Sequence, residues 1–149
     1  MQTLLVPLDA SVATAKVLSF AGSFARSLQA KVVLLHVIEP VSSYVPIGAG
    51  MDILAASPPS MDPEQLEGAQ KRLEMLAAPL RAAGLDVACE AILGLAVDEI
   101  LVQAKTRAAD YIVLGSHGHG ALYHLFSGSV VTGILKRSEC PVVVVPVHG

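Results

Sequence analysis

Hydrophobic residues along the chain fall into two patterns: short runs rich in valine, leucine and isoleucine, and longer stretches in which apolar residues recur at helical spacing. The short runs predict β-strands, and the longer stretches predict amphipathic helices between them. Four of the five predicted strands are almost continuously apolar, which is typical of parallel strands covered by helices on both faces. The strands are expected at Thr3–Leu8, Lys31–Ile38, Asp86–Leu93, Tyr111–Leu114 and Val142–Val147.

Four helices are expected between these strands. The first spans Ser11–Gln29, with Asp9 or Ser11 in position to cap its start. The second begins near Pro63, because proline suits a first helical turn, and ends at Gly84, where a left-handed residue is favoured. The other two helices are expected around Val97–Ala104 and over Ser129–Arg137.

The strand order can be predicted by asking which strands suit the edges of the sheet. The third strand carries a charge, Glu90, on one of its two sides, which suits an edge more than a centre. The fifth strand is apolar without a charged residue, and Pro146 removes only one backbone donor, so this bare edge favours pairing with another chain. We therefore expect one α/β domain over residues 1–149, a doubly wound five-stranded parallel sheet of order 3-2-1-4-5 with helices on both faces, and a homodimer joined along residues 142–147.

Composition and charge exclude several classes of partner. The 149 residues are 53% hydrophobic, which is enough for one packed core, and the net charge of −3 offers no positive field for nucleic acid or an anionic membrane. No run of about 18 apolar residues occurs and the N-terminus does not resemble a signal peptide, so we expect a cytoplasmic protein. Cys89 and Cys140 are expected to be separate, buried thiols.

Candidate binding residues gather where the predicted strand order reverses, between the first and fourth strands. In a doubly wound sheet, ligands bind outside the carboxyl ends of the strands at this point. The residues expected there, at the ends of the first, second and fourth strands, are Pro7, Asp9, His36, Val37, Leu114 and Gly115.

The loop after the fourth strand contains regularly placed glycines. Two residues separate Gly115 from Gly118, nine separate Gly118 from Gly128, and Ser129 then opens a helix. Glycine lets backbone N–H groups approach an oxyanion closely, and a helix start adds oriented donors and a positive dipole end. The spacing indicates an anion site, although glycines that only form turns would produce the same pattern.

Together with these glycines, four segments resemble the universal stress protein family over essentially the whole chain: VPLDAS, LLHVIEP, GLAVDEI and the final CPVVVVP. The resemblance is to the ATP-binding branch, and it implies the adenine nucleotide alpha hydrolase-like fold. It also implies that Pro7 and Asp9 line the adenosine side and that Val37 meets adenine through its backbone.

The same resemblance implies a cradle for ribose and phosphate and a homodimer joined through the last strands. The predicted site also includes Leu114, which precedes Gly115, and His117, which precedes Gly118. The predicted cradle consists of Gly115, Gly118, Gly128, Ser129 and Val130.

The glycine loop departs from the family pattern in its charge. Many relatives carry arginine or lysine in this loop, whereas this chain has no basic residue between Arg107 and Lys136 and has His117, His119 and His124 instead. The negative charge of ATP would then be balanced by backbone donors, the helix start and a divalent cation, Mg²⁺ or Mn²⁺. Because histidine titrates near neutrality, affinity would also depend on pH.

Other chemistries remain open for these residues. His117 and His119, with His36 or His124, could form a transition-metal site, but the loop has no cysteine or carboxylate. Asp9 could be a general base or metal ligand, although a capping carboxylate looks the same in sequence. A phosphate loop with Gly-Lys-Ser is absent, so fast ATP hydrolysis is not expected.

The resemblance therefore predicts an ATP-binding stress-response protein: a dimeric, nucleotide-dependent switch with little or no hydrolysis and a still unidentified protein partner. The segment Glu39–Asp62 contains four prolines and is too long for a simple connection, which indicates a lid or a partner loop. The alternative is a dimeric interaction module that does not bind ATP, or that binds another adenine-containing ligand.

Overall fold

The computed structural model describes residues 1–9, 11, 13–40, 62–116 and 130–147, and five strands alternate with four helices in this part of the chain. The strands are β1 (Thr3–Pro7), β2 (Lys31–Ile38), β3 (Val87–Leu93), β4 (Tyr111–Gly115) and β5 (Val142–Val145). The helices are α1 (Thr14–Leu28), α2 (Pro63–Ala82), α3 (Ala96–Thr106) and α4 (Val130–Arg137).

The strands form one parallel sheet of order β3-β2-β1-β4-β5, which confirms the predicted topology. Helices α1 and α2 cover one face and α3 and α4 the other, so adjacent residues of a central strand are buried on opposite sides. Leu4 of β1 packs with the α1 and α2 core, whereas Leu5 packs with the α3 and α4 core, and both are fully buried. Each such leucine contributes roughly 1.5–3 kcal/mol of hydrophobic stabilisation.

The first helix begins at Thr14 rather than at Ser11. The Asp9 carboxylate accepts a hydrogen bond from the Ser11 amide at 3.2 Å, and Ser11 Oγ accepts one from the Ala13 amide at 3.3 Å. Each side chain therefore closes a turn that precedes the helix, and the residue in the cap position, Ala13, has no side-chain acceptor. The expectation that Asp9 or Ser11 caps this helix is wrong.

The second helix has both of the predicted end signals. Asp62 Oδ1 accepts a hydrogen bond from the Glu64 amide at 3.0 Å, and Pro63 occupies the first turn. Beyond the other end, Gly84 adopts a φ of 88°, the left-handed conformation expected for it.

Several strand ends differ from prediction by one or two residues. β1 ends at Pro7 instead of Leu8, and β5 ends at Val145 instead of Val147. After Pro146, the Val147 amide donates to Ser116 Oγ at 2.9 Å, so a side chain takes the place of a strand partner there. β3 begins at Val87 rather than Asp86, β4 continues to Gly115, and the predicted first residue of α4, Ser129, lies outside the described residues.

Strand β3 forms one edge of the sheet, and side chains of α2 bond to its outward-facing backbone groups. Gln70 accepts a hydrogen bond from the Ala91 amide at 2.9 Å and donates one to the Cys89 carbonyl at 3.0 Å. Arg81 donates to the Val87 carbonyl from Nε at 3.1 Å and from Nη2 at 2.8 Å. These contacts occupy groups that another strand would need, so they limit pairing at this edge.

Glu74 orients the guanidinium of Arg81 toward β3. Its Oε2 atom lies 2.6 Å from Arg81 Nη1, and this hydrogen bond lowers the pKa of the Glu74 carboxyl below its ordinary value. The carboxylate therefore stays charged to lower pH than a free glutamate. Because both side chains are more than 40% exposed, the pair itself adds little stability, and its main effect is to fix the direction of Arg81.

The opposite edge is β5. The Ser116 amide donates to the Val145 carbonyl at 2.9 Å, which shows that the backbone groups of Val145 face β4. Since bonding direction alternates along a parallel strand, the backbone groups of Val142 and Val144 point away from the sheet. In the described part of the chain, no further strand pairs with this side.

The two cysteines are free thiols, and both are half-buried rather than buried. Burial raises the pKa of the Cys89 thiol above its ordinary value, so this thiol is protonated at neutral pH. Among the described residues, no helix is both long enough and apolar enough to cross a membrane.

Replacing Gln70 with alanine should lower the free energy of unfolding by about 1–2 kcal/mol, because the Cys89 carbonyl and the Ala91 amide lose their partner. Urea unfolding followed by circular dichroism measures the change. Gln65→Ala is the matched control, since Gln65 is an exposed glutamine on the same helix. Equal losses in the two variants would show that the contact with β3 contributes nothing.

Candidate functional site

A cavity opens at the carboxyl edge of the sheet, where β1 and β4 separate. β1 pairs with β2 over Thr3–Pro7, but it pairs with β4 only at Leu4 and Leu5. The cavity has a volume of about 420 Å³, which is within the usual range for small-molecule sites. It lies at the point of strand-order reversal, where the sequence predicted the binding residues.

Six of the ten predicted binding residues line this cavity, so the structure brings them together from three strand ends and a helix start. Their role in binding a nucleotide stays a prediction. The six residues are Pro7, Asp9, Val37, Leu114, Gly115 and Val130. The other four, His117, Gly118, Gly128 and Ser129, lie outside the described residues.

The end of β1 is held in a defined turn beside the cavity. The Asp9 carboxylate accepts from the Ser11 amide, which fixes the carboxylate between the end of β1 and the start of α1. The side chain is nevertheless exposed, so it can also contact a ligand. The Asp9 carboxylate can therefore stabilise the turn and contact a ligand at the same time, and both roles were among the alternatives that the sequence left open.

Gly115 is required by the close approach of two neighbours. A Cβ atom at this position would lie 3.1 Å from Val17 Cγ2 and 3.5 Å from Val147 Cγ2. The first distance is shorter than ordinary van der Waals contact, so the Val17 side chain would have to shift by a few tenths of an ångström to admit a Cβ atom. The glycine keeps β4 close to α1 and leaves the floor of the cavity open.

His36 links β2 to the end of β1. Its Nδ1 atom lies 2.7 Å from the Leu8 carbonyl oxygen, and because a carbonyl can only accept, Nδ1 carries the proton. In the neutral ring, Nε2 is then left as an acceptor on a residue that lines the cavity. Within the described residues, no three metal-ligating side chains come together, and the loop histidines of the metal alternative lie outside that part of the chain.

Helix starts converge on this cavity. Thr14 of α1, Ala96 of α3 and Val130 of α4 all belong to its lining, because each helix follows a parallel strand and begins at the same edge. Helix starts carry unpaired backbone N–H groups and the positive end of the helix dipole. The cavity is therefore suited to an anionic group.

The start of α3 already has an anionic partner. Glu39 Oε1 accepts a hydrogen bond from the Ala96 amide at 3.0 Å, across 57 positions of sequence. The first turn of α3 also contains Asp98 and Glu99, whereas α4 has no acidic residue in its first turn. Of these two helix starts, α4 is thus the better place for a ligand anion.

The charged groups of the described lining are acidic. Asp9 and Glu39 each carry a carboxylate, and none of the described lining residues is a lysine or an arginine. The remaining surface is largely apolar, with Val17, Ile100 and Val131 among its residues. An apolar wall with a few polar groups suits a flat ring system joined to a polar group.

Sequence reasoning missed two features of this site. Glu39 is not among the predicted binding residues, although its position directly after a strand end was a usable signal. Thr14 lines the cavity, and its Oγ1 is buried without a hydrogen-bond partner in the described part of the chain. No sequence pattern marks such a hydroxyl, because its pairing depends on the packing around α1.

Comparison with known proteins gives consistent results. A family model described as the universal stress protein family matches residues 1–146. The chain is 32% identical over 145 residues to universal stress protein YxiE of Bacillus subtilis, covering 95% of this chain and 97% of that protein. It is 30% identical over 132 residues to universal stress protein A homolog 2 of Coxiella burnetii, covering 87% of this chain and 83% of that protein.

Solved structures share the fold. A universal stress protein in complex with cAMP superposes with a TM-score of 0.70 at 22% identity, covering 97% of this chain and 96% of that one. The universal stress protein from Archaeoglobus fulgidus in complex with dAMP gives a TM-score of 0.68 at 21% identity, covering 97% of both chains. With the family model matching almost the whole sequence, this chain belongs to the universal stress protein family.

Proposed function

We propose that this chain is an adenine-nucleotide-binding stress-response protein that binds ATP and acts as a dimeric, nucleotide-dependent switch in the cytoplasm. The observation that carries the proposal is the cavity between β1 and β4, which gathers Pro7, Asp9, Val37, Gly115 and Val130 at one edge of the sheet. These are the positions at which the family resemblance implies adenosine and phosphate contacts.

The lining supports a nucleotide more than other small molecules. Leu35 and Val37 of β2 provide apolar surface for a flat base, and Asp9 and His36 provide polar atoms for ribose hydroxyls. Two related proteins of the same fold were solved with adenine monophosphates, cAMP and dAMP. We infer that the base and ribose lie toward β1 and β2 and that the phosphates lie toward α4.

A divalent cation fits this site as a companion of the nucleotide. Carboxylate oxygens such as those of Asp9 and Glu39 are the ligand type that Mg²⁺ prefers, and Mg²⁺ usually combines one or two carboxylates with substrate phosphates. When bound, the cation would neutralise phosphate charge. Asp9 and Glu39 are the described lining residues that would supply carboxylate oxygens to it.

Little or no hydrolysis is expected from this cavity. Phosphoryl transfer depends on positioned cationic groups that stabilise the transferring phosphate, and none of the described lining residues is a lysine or an arginine. Incubation with ATP and Mg²⁺ should therefore release phosphate no faster than a sample without protein. A turnover on the order of one per second, the lower range for phosphoryl-transfer enzymes, would instead identify an enzyme.

The switch would use segments next to the cavity. The glycine loop 115–128 and the segment Glu39–Asp62 follow strand ends that line it, although most of both segments lies outside the described residues. Nucleotide contacts at these strand ends would bias the conformation of both segments and change the surface that the dimer offers to a protein partner.

Purified protein should bind ATP with Mg²⁺ at about one site per chain with a micromolar Kd, a usual range for a small-molecule site. Replacing both Gly118 and Gly128 with valine should abolish this binding, because side chains would block the approach of backbone N–H groups to the phosphates. Isothermal titration calorimetry with ATP, ADP and AMP measures the affinities, after a check that no nucleotide copurifies.

Gly68→Val is the control for these valine substitutions. Gly68 lies on α2, and the nearest atom to a Cβ placed on it would be the flexible end of Arg72 at 3.9 Å, so the change should leave binding intact. Undiminished ATP affinity in the double variant would move the site away from the glycine loop.

The dimer is proposed to form along β5. Val144→Pro removes a backbone donor that points away from β4, so it should yield a monomer that remains folded. Val143→Pro removes a donor that bonds to β4, and it should instead lower the free energy of unfolding by about 1–3 kcal/mol, because a ladder hydrogen bond is lost. Sedimentation velocity at micromolar concentration distinguishes these results, and a monomeric wild-type protein would contradict the proposed interface.

The second candidate function is a dimeric interaction module that does not bind ATP, or that binds another adenine-containing ligand. The acidic character of the cavity lining is the observation that favours it, because Asp9 and Glu39 do not attract a triphosphate. Calorimetry with the same set of nucleotides separates the two candidates.

A further inference from the structure

We propose that Glu39 acts as a charge filter for the cavity: it favours adenine ligands with few negative charges and disfavours free triphosphate. The inference rests on the proposed binding of adenine nucleotides and specifies which of them the site prefers. It assigns a specificity role to a residue outside the predicted binding set.

Glu39 is held at the cavity by a defined contact. It follows the last residue of β2, and its Oε1 atom accepts from the Ala96 amide at 3.0 Å. This bond places a negative charge at the start of α3, and both residues belong to the cavity lining. The charge is therefore part of the site rather than a freely moving surface group.

The position of Glu39 decides where a ligand anion can bind. The start of α3 is already matched by Glu39 and by the acidic residues of its own first turn, Asp98 and Glu99. A phosphate is therefore better placed at the start of α4, whose first turn has no acidic residue. Each additional phosphate then increases the negative charge within a cavity that Glu39 and Asp9 already make acidic.

Basic residues that could compensate are missing from the adjoining segments. None of the described lining residues is a lysine or an arginine, and neither residues 41–61 nor residues 108–135 contain one in the sequence. Lys16 on α1 is the nearest base in sequence to the β1 end of the cavity, but it is exposed and is not part of the lining. Within the described lining and these two segments, the repulsion is therefore opposed by backbone donors, histidines and any cation that the ligand carries.

The size of the effect follows from Coulomb's law. For charges about 7 Å apart in water, one carboxylate weakens binding roughly two- to threefold for each added phosphate charge, before salt screening. ATP carries about two more negative charges than AMP at neutral pH, since the final phosphate ionisation has a pKa near 6. Because Glu39 is exposed, salt at about 0.15 M reduces the effect substantially.

The test is calorimetry with AMP and ATP in EDTA at low ionic strength, on wild type, Glu39→Gln and the control Glu67→Gln. Wild type should bind AMP more tightly than ATP. Glu39→Gln should improve ATP affinity by about threefold to tenfold and AMP affinity by less, because it removes the charge while its amide oxygen can still accept from Ala96. Glu67 lies exposed on α2 beside Lys71, so its substitution changes net charge equally without altering the cavity.

Salt distinguishes a charge effect from a structural one. The gain in ATP affinity from Glu39→Gln should shrink at about 0.5 M salt, where the Debye length is only a few ångströms. Glu39→Ala, which also removes the hydrogen bond to Ala96, should lower the melting temperature, whereas Glu39→Gln should largely preserve it.

Each result bears on a different claim. If wild type binds ATP without a cation as tightly as AMP, or if Glu39→Gln leaves the ratio of the two affinities unchanged, the charge filter is wrong while nucleotide binding stands. If no adenine nucleotide binds with or without Mg²⁺, the proposed function itself fails and the filter fails with it.

Discussion

Strand β1 pairs with β2 over Thr3–Pro7, but with β4 only at Leu4 and Leu5. The parallel order requires chain connections to leave β1 and β4 in opposite directions across the sheet, and no helix or strand of the described residues fills the gap beyond Leu4 and Leu5. The cavity, its glycine floor at Gly115 and the meeting of strand ends with helix starts all depend on this separation. The same geometry explains why residues far apart in sequence, such as Asp9 and Val130, share one site.

The two edges of the sheet differ in how their backbone groups are occupied. At β3, Gln70 and Arg81 of α2 bond to backbone groups that would otherwise be open to another strand. At β5, a run of valines presents its outward backbone groups at the end of the sheet. A chain with both edges open could continue to add copies, whereas one blocked edge limits association to a closed pair. Among the described residues, this contrast between the two edges is consistent with the proposed interface at β5.

Much of the fold could be predicted from sequence because its determinants are local: continuous apolar runs identified the strands, and Pro63 and Gly84 marked the ends of α2. The strand-end residues of the candidate site were found because the topology places strand ends together. The helix cap at Asp9 was wrong because a turn and a cap demand the same residue type at almost the same position. Glu39 was missed because its significance lies in a hydrogen bond to Ala96, distant in sequence, that no local pattern encodes.

The fold therefore gives the cavity a general capacity to bind anions, and a few side chains determine which ligands it selects. Any sheet of this order directs helix starts toward one cavity and makes it receptive to anions. In this chain the Glu39 carboxylate accepts a hydrogen bond from the start of α3. The capacity to bind a ligand anion is therefore reduced at α3 and retained at α4. A ligand anion is then better placed at the start of α4 than at the start of α3, and under the proposed charge filter the carboxylates of Asp9 and Glu39 limit how much negative charge the ligand can carry.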